Sequence, residues 1–446
     1  MVFDRQYGDA APGGPAVTSS TPFVLGSTSK QFTGLAIQQL IAQARLSLDD
    51  TVSSLLGSLG GETSQYAGVT VAQLLGHTSG IGTDTGTADV FNPAPAVTSL
   101  TAEVRRVLAS ARSSKPGSRF EYSNANYTLL GGIIEAVTRE DFEDALQSLV
   151  AGPLGLDGTT SDLAVAASNG LTAGHYTWFG AIDSTTPGPR WPMGAPSAFT
   201  TSTAADLTRL LQAELGQPSG IEPAVFAADH EPLAAVDEYS SYASGWYVRS
   251  FWELHDNDRN YDDPGLPLIY EHAGDTGRET SYLAFAPALG LGIAVLSNTG
   301  LGPDTGRFND LTYGLLHTLV GTKSTPRTVD PLIAAAPVIM LAVPLLQLVA
   351  LVALALSFTR PPRKRPARWM PRIFAALMTG ITLLVGFVVV PQQTQQPLLD
   401  RAWWSGLPDL AASVGVSLLL AAACLVVGIA GLLRARSRSR VGWDHE

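Results

Sequence analysis

Three long apolar runs near the carboxyl terminus constrain the fold of this chain most strongly. They cover residues 332–358, 373–390 and 410–433, and none of them contains a charged residue. A helix needs about 20 apolar residues to cross the hydrocarbon core of a bilayer, and such a helix tolerates proline. Residues 326–446 are therefore predicted to form an all-α, three-helix transmembrane region whose partner is the lipid bilayer.

Charge divides the chain into two parts. Residues 1–330 carry 17 Lys and Arg against 35 Asp and Glu, a net charge of −18, whereas residues 331–446 carry 11 against 4. An acidic part without clustered basic residues is not expected to bind nucleic acid. The loop at 359–372 and the tail after residue 433 are rich in arginine, which favours the cytoplasmic side. The pattern predicts a multi-pass protein of the cell membrane, with an extracytoplasmic amino-terminal part and a cytoplasmic carboxyl terminus.

Residues 1–325 show the pattern of an α+β domain. Helical spacing of apolar residues starts near residues 27, 70, 102, 127 and 203. Alternation typical of strands covers residues 242–249, 268–272, 280–286 and 291–297, which predicts an antiparallel sheet. A helix over 307–320 is expected to pack on that sheet. Residues 2–7 are also predicted to form a strand.

The segment Phe23–Lys30 combines a serine and a lysine at the start of a helix. Positions three apart share a helix face, so Lys30 can reach back over Ser27. An adjacent amine can take the proton from a serine hydroxyl and make it a nucleophile. The pair taken alone is better explained as a serine cap followed by a solvated lysine.

Two further short patterns are equally ambiguous in isolation. Tyr122-x-Asn124 stands where a loop enters a helix, a common place for a tyrosine that only fills space. His272-x-Gly274 ends a predicted strand, and its glycine permits close backbone approach to a ligand or simply begins a surface turn. His77 lies at the end of the helix that Thr70 and Gln73 cap. A hydrogen bond between His77 and the backbone is favoured over a catalytic role.

The fixed order of these three patterns resembles the serine hydrolases related to class C β-lactamases and DD-peptidases, which include penicillin-binding esterases and D-aminopeptidases. The resemblance covers roughly residues 1–320. Flanking segments agree with it, and they are 46–50, 74–80, 120–124, 245–246 and 296–298. It implies the β-lactamase/transpeptidase-like fold, an antiparallel sheet flanked by helices with a helical lobe.

The same resemblance implies the role of each site residue. Ser27 would form an acyl-enzyme, while Lys30 and Tyr122 would remove its proton; a Lys30 cation would favour the Tyr122 phenolate. Asn124 would bind Lys30 or the substrate amide. The amides of Ser27 and Asp275, the latter following Gly274, would form the oxyanion hole. The substrate would be a small molecule or a peptide, with neither metal nor cofactor.

Two departures from the family pattern affect this interpretation. His272 stands where β-lactamases and transpeptidases usually have lysine, and a neutral imidazole is a poor substitute for a fixed positive charge. Arg278 is a possible substitute for that charge, although a surface arginine is the commoner situation. The chain also lacks the family's first helix and strand, so we expect the natural protein to extend further at its amino terminus and to carry an export signal there.

Two functions are compatible with these patterns. The first is a membrane-anchored extracytoplasmic serine hydrolase that cleaves an ester or amide, such as a cell-wall peptide or a β-lactam. The second is a non-hydrolytic sensor or scaffold that keeps the pocket. The presence of Ser27, Lys30 and Tyr122 favours the hydrolase, and the sequence identifies no protein partner.

Overall fold

A computed structural model describes most of the chain in two compact units. The described residues are 3–85, 99–179, 182–184, 192–250, 267–300, 306–320, 331–359, 365–384 and 408–441. The first unit comprises Met1–Thr177 and Asp183–Thr328, and the second comprises Trp178–Ile182 and Val329–Glu446.

Helices of the first unit have the bounds α1 Ser29–Ala42, α2 Val52–Leu56, α3 Val71–Leu75, α4 Leu100–Leu108, α5 Asn124–Thr138, α6 Phe142–Leu146, α7 Gly152–Leu154, α8 Leu163–Ser168, α9 Ala204–Glu214, α10 Pro223–Asp229 and α11 Gly306–Val320. Six of these helices, α2, α3, α4, α6, α8 and α9, begin at a side chain that caps them. Thr70 and Gln73 form the predicted capping box of α3, and Thr203 caps α9. These side chains satisfy amides that the first helical turn leaves without partners.

Strands of the first unit form one large sheet and two small ones. Their bounds are β1 Phe23–Val24, β2 His175–Trp178, β3 Ile182–Ser184, β4 Thr201–Ser202, β5 Ala234–Ala235, β6 Ser240–Tyr242, β7 Tyr247–Ser250, β8 Leu268–Asp275, β9 Thr280–Ala286, β10 Leu291–Ser297 and β11 Thr299–Gly300. The large sheet is antiparallel in the order β10-β9-β8-β7-β6-β5. Strand β1 pairs with β4, and β11 pairs with β2 beside β3.

Strand β9 is covered on both of its faces. Leu283 and Phe285 belong to the main hydrophobic core, which also contains residues of α1 and α5. Tyr282 and Ala284, on the opposite face, pack in a second cluster with Phe308 of α11. Because successive side chains of a strand alternate between faces, this strand is buried along its whole length. The arrangement is helices, sheet and helix, as the α+β prediction requires.

Two predicted strands differ from the structure. The stretch 242–249 is interrupted at Gly245, whose φ of 97° reverses the chain between β6 and β7. Glycine adopts this left-handed conformation without the steric cost that a side chain brings. Residues 3–7 form no strand and expose Phe3 and Tyr7, so the strand predicted at 2–7 is wrong for its described residues. Alternation of apolar residues cannot make a strand there without a neighbouring strand to pair with.

The second unit contains three helices, α12 Pro331–Thr359, α13 Arg365–Leu384 and α14 Pro408–Val441. Two of them have segments long and apolar enough to cross a membrane, Ala335–Thr359 and Asp409–Arg434. The apolar part of α13 is shorter, Met370–Leu384, and about 22 Å of helix does not cover a hydrocarbon core of about 30 Å. Residues 385–390 of the second predicted span lie outside the described residues.

Polar and small side chains join these three helices. Gln347 donates a hydrogen bond to Thr382 at 2.6 Å, and Ser413 donates to the carbonyl of Met340 at 2.7 Å. Large apolar side chains such as Leu345 and Leu419 point outwards and are exposed. Polar contacts inside and apolar side chains outside are what a bundle surrounded by lipid requires.

Candidate active site

Ser27 lies in the turn that joins β1 to α1. The chain leaves β1 at Val24 and forms a 3-10 turn over Gly26–Thr28 before α1 begins at Ser29. Ser27 is half-buried, whereas Lys30, in the first turn of α1, is fully buried. The lysine is therefore not the solvated side chain that an isolated match would suggest.

Lys30 is held by two neutral oxygen atoms. Its Nζ atom donates to Oδ1 of Asn124 at 2.6 Å and to the carbonyl of Ser197 at 2.7 Å. Neither partner carries a charge that would stabilise an ammonium ion. Burial lowers the pKa of Lys30 well below its usual value, which favours a neutral amine able to accept a proton.

Tyr122 lies on the segment that leads into α5, and its hydroxyl faces the serine. The Ser27 hydroxyl lowers the pKa of Tyr122, although the two hydroxyl groups form no hydrogen bond of standard geometry. Burial has the larger, opposite effect and raises the pKa of Tyr122. The Nζ atom of Lys30 lies over the tyrosine ring, 4.9 Å from its centre. Burial therefore favours the neutral phenol, whereas the resemblance implies a phenolate favoured by a Lys30 cation.

The backbones at Gly26 and Gly274 approach each other too closely for any side chain. A Cβ atom on Gly274 would lie 2.0 Å from the carbonyl oxygen of Leu25 and 3.0 Å from the amide nitrogen of Ser27. A Cβ atom on Gly26 would lie 2.5 Å from the amide nitrogen of Asp275. Both glycines are therefore required for the end of β8 to lie against the serine turn.

The amide of Asp275 points away from β9. The next amide, that of Thr276, donates to the carbonyl of Glu279 at 3.0 Å. Amide directions alternate along an antiparallel strand, so the Asp275 amide faces the opposite side, where β7 does not extend beyond its pairing with Glu271. The amides of Ser27 and Asp275 thus lie on adjoining backbones, a suitable pair of donors for one oxyanion.

Two hydroxyl groups fix the serine turn to the sheet. Ser281 of β9 donates to the carbonyl of Leu25 at 2.5 Å and lies 2.7 Å from the hydroxyl of Thr28. Thr28 also donates to the carbonyl of Leu25, at 2.9 Å. All of these atoms are buried, so breaking one contact would leave a polar group without a partner.

His272 is a buried, neutral residue of the site. Its Nδ1 atom donates to the carbonyl of Ala273 at 2.7 Å, so its Nε2 atom accepts from the hydroxyl of Tyr242 at 3.1 Å. Burial is the main cause that lowers the pKa of His272 to about 3. His272 therefore supplies no positive charge for a substrate carboxylate.

Arg278, the other cation considered for that charge, is a buried residue in the turn after β8. It is buried at 5% exposure, and its guanidinium lies over the ring of Tyr176, 4.7 Å from the ring centre. The surface position considered from the sequence is therefore wrong, because the Arg278 side chain packs on Tyr176 of β2 instead of entering solvent.

Sequence reasoning overlooked three residues of this site, namely Ser197, Tyr242 and Ser281. Ser197 contributes only a backbone carbonyl, which no sequence motif marks. Tyr242 and Ser281 come from strands whose apolar alternation reveals their face but not their neighbours. His77 is bonded to backbone as expected, since its Nδ1 atom accepts from the amide of Ser123 at 3.2 Å.

The architecture and these residues can be compared with known proteins. The Beta-lactamase family model matches residues 1–317. The chain belongs to the beta-lactamase family. The chain is thus of the serine hydrolase type, a family in which some members are non-catalytic.

Curated relatives agree with this assignment. Penicillin-binding protein 4 of Amycolatopsis lactamdurans is 30% identical over 341 residues, which cover 71% of this chain and 84% of that protein. Protein flp of Staphylococcus aureus strain MW2 is 29% identical over 287 residues, 63% of this chain. The chain spans only about half of protein flp, 53% of its length.

Solved structures show the same fold in the first unit. The octameric penicillin-binding protein homologue from Pyrococcus abyssi matches 71% of this chain and 70% of its own, with a TM-score of 0.59 and 23% identity. A class C beta-lactamase matches 71% of this chain and 88% of its own, with a TM-score of 0.57 and 23% identity.

Proposed function

We propose that the protein is a membrane-anchored hydrolase that forms an acyl-enzyme on Ser27. The observation that carries this proposal is the position of Lys30, which is buried and hydrogen-bonded only to neutral oxygen atoms among the described residues. It lies beside the Ser27 hydroxyl and the Tyr122 phenol, which face each other. A buried lysine without an acidic partner is costly for folding alone, so its retention favours a role in proton transfer.

In the first step, the Ser27 oxygen forms a bond to the carbonyl carbon of an ester or amide. The serine proton passes to the pair of Lys30 and Tyr122, with the lysine amine as the base and the phenol as the relay. The amides of Ser27 and Asp275 stabilise the oxyanion, and Gly274 allows their approach. The bond to the leaving group then breaks, and the departing alcohol or amine takes the proton.

In the second step, water hydrolyses the acyl-enzyme. Tyr122 and Lys30 accept a proton from the water, whose oxygen attacks the acyl carbon, and return a proton to Ser27 as it leaves. Asn124 keeps the Lys30 amine in place by its hydrogen bond of 2.6 Å. Each proton that Lys30 and Tyr122 take up during the cycle is given back, so both residues end the cycle as they began it.

The neutral state of His272 supports a substrate class. A substrate that depends on its carboxylate for binding gains little from a neutral imidazole, whereas a simple ester or an uncharged amide does not need that charge. We therefore assign esters, and amides without an essential carboxylate, as the preferred substrates, ahead of penicillins. Small peptides of the cell wall fit where the carboxylate is not the main contact.

The arginine-rich segments support the placement of the chain in the membrane. We propose an extracytoplasmic hydrolase domain of residues 1–325, a membrane domain of residues 326–446 and a cytoplasmic carboxyl terminus. This placement rests on the charge of the flanking segments and requires three crossings, by α12, by the second predicted span at residues 373–390 and by α14.

Labelling of the full chain in membranes tests the chemistry. A fluorophosphonate probe and, separately, a fluorescent penicillin are applied to the wild type and to Ser27→Ala. We expect fluorophosphonate labelling that Ser27→Ala abolishes. Failure of both probes to give label that depends on Ser27 would contradict the hydrolase and support a binding module.

A further inference from the structure

One residue, His77, holds both chain neighbours of Tyr122. Its carbonyl accepts a hydrogen bond from the amide of Glu121 at 2.8 Å, and its Nδ1 atom accepts one from the amide of Ser123 at 3.2 Å. Its ring packs on the ring of Tyr122, with the ring centres 4.5 Å apart and the planes tilted by 31°. His77 thus holds the backbone on both sides of Tyr122 and also one face of the tyrosine ring.

The state of His77 suits this task. Its Nδ1 atom also accepts from the side-chain amide of Asn126, at 3.0 Å, so this nitrogen carries no proton. Burial is the main cause that lowers the pKa of His77 well below its usual value, which favours the neutral ring. A neutral ring with its proton on Nε2 keeps Nδ1 available as an acceptor for both amides.

The backbone of His77 is itself unusual. Its φ is 55°, in the left-handed region that non-glycine residues seldom adopt. This conformation turns the chain at the end of α3 so that carbonyl and ring point towards the same segment. Such a conformation costs free energy and persists only where the surrounding structure demands it.

Tyr122 depends on such support because its hydroxyl has no hydrogen bond of standard geometry among the described residues. Besides the contacts of His77, its carbonyl accepts from the Thr83 hydroxyl at 2.7 Å. The position of the phenol is therefore set by packing and by backbone anchors. A small displacement of a proton-transfer group lowers the rate strongly, since reacting atoms must align.

We propose that His77 is a positioning residue that places the Tyr122 phenol opposite Ser27. It acts through Tyr122 and does not touch the substrate. This inference rests on the proposed function, in which Tyr122 relays the serine proton.

Two substitutions distinguish the role of the hydrogen-bond acceptor at Nδ1 of His77 from the role of the imidazole ring. In His77→Asn, the side-chain oxygen occupies the position of Nδ1, and asparagine tolerates the left-handed backbone. In His77→Gln, the acceptor lies one bond further away. We expect kcat for a nitrophenyl ester to fall by about 100-fold in His77→Gln with KM within about threefold, and by less than about 10-fold in His77→Asn.

A double-substitution cycle distinguishes positioning from a general effect on folding. In a Tyr122→Phe background, His77→Gln should cost no further activity, because the relay it positions is already absent. His230→Asn is the matched control. His230 is a half-buried histidine at the end of α10, and its Nε2 atom contacts Glu214 at 2.7 Å. It should lower the melting temperature and leave kcat unchanged.

Amide exchange provides a readout that needs no activity. The peptide over residues 119–124 should exchange hydrogen faster in His77→Gln than in the wild type, with protection kept in His77→Asn. Near-normal kcat in His77→Gln, independent losses in the double variant, or equal exchange in the two variants would each overturn the positioning role. If the wild type shows no turnover that depends on Ser27, the proposed function fails and exchange alone decides whether His77 holds the segment.

Discussion

The Nζ atom of Lys30 lies over the ring of Tyr122, 4.9 Å from its centre. The amine thus contacts the aromatic face while its hydrogen bonds go to Asn124 and the carbonyl of Ser197. Burial opposes charge on both members of this pair, lowering the pKa of the lysine and raising that of the tyrosine. The burial of both groups thus favours a neutral amine beside a neutral phenol.

Lys30→Met should abolish turnover and make the protein more stable at pH 7. The folded state binds the lysine proton less tightly than the unfolded state, in which the pKa of lysine is 10.5. Wild-type stability therefore rises with pH between the lowered pKa and 10.5, so the advantage of Lys30→Met should shrink over that range. Melting temperatures measured from pH 6 to pH 10 check this.

Gln31→Met is the control for that series. Gln31 is also buried, and its side-chain amide has no hydrogen-bond partner among the described residues. Its replacement should change the melting temperature by an amount that does not vary with pH. A Lys30→Met difference that is constant with pH would show that the buried amine is not the cause.

Tyr122→Phe should reduce kcat by several orders of magnitude, because it removes the hydroxyl that faces Ser27. Tyr127→Phe is the matched control. Its ring also lies near the Lys30 Nζ atom, at 5.6 Å, but its hydroxyl donates to the carbonyl of Leu75. We expect this control to lose about 1 kcal/mol of stability and to keep its kcat. Near-normal rates for Tyr122→Phe would refute the relay.

Gly26→Ala should abolish acylation of Ser27. The new Cβ atom would lie 2.5 Å from the amide nitrogen of Asp275 and would push the two amides apart. Gly290→Ala is the control, because Gly290 has the same φ of 58° but open space around its Cβ position. The control should show only backbone strain, about 1–2 kcal/mol, with normal labelling by fluorophosphonate. Equal loss of labelling in both variants would attribute the effect to strain.

Esters of nitrophenol with short acyl chains should be cleaved with a higher kcat/KM than penicillins. His272 has a pKa lowered to about 3 and remains neutral above about pH 5, so it offers no fixed charge to the penicillin carboxylate. The ratio of kcat/KM for the two substrates should consequently show no change near pH 6.5 that could be ascribed to His272. A strong preference for penicillin would contradict this assignment.

The membrane arrangement is tested by cysteine labelling of intact cells. Cys424 is the single cysteine of the chain and is buried among the helices of the second unit, so Cys424→Ala provides the background. A membrane-impermeant maleimide should label the Asn169→Cys variant, because Asn169 is exposed on the first unit. It should label the Ser437→Cys variant only after the cells are permeabilised. The opposite result would invert the topology.

Much of the fold follows from local patterns that the sequence displays. The capping box of Thr70 and Gln73 and the alternation of β9 and β10 depend on neighbours in the chain, so they are readable without a structure. The strand predicted at residues 2–7 fails because pairing needs a second strand, and the turn at Gly245 was missed because alternation alone does not reveal a reversal.

The sequence by itself determined the family, the position of Ser27, Lys30, Tyr122 and His272 along the chain, and the apolar carboxyl-terminal part. Only the tertiary structure decided the state of those groups. Burial favours the neutral form of Tyr122, and the carbonyl of Ser197 reaches Lys30 from a distant segment of the chain. Ionisation and backbone approach depend on which atoms meet in space, and contacts between residues far apart in the chain leave no local pattern.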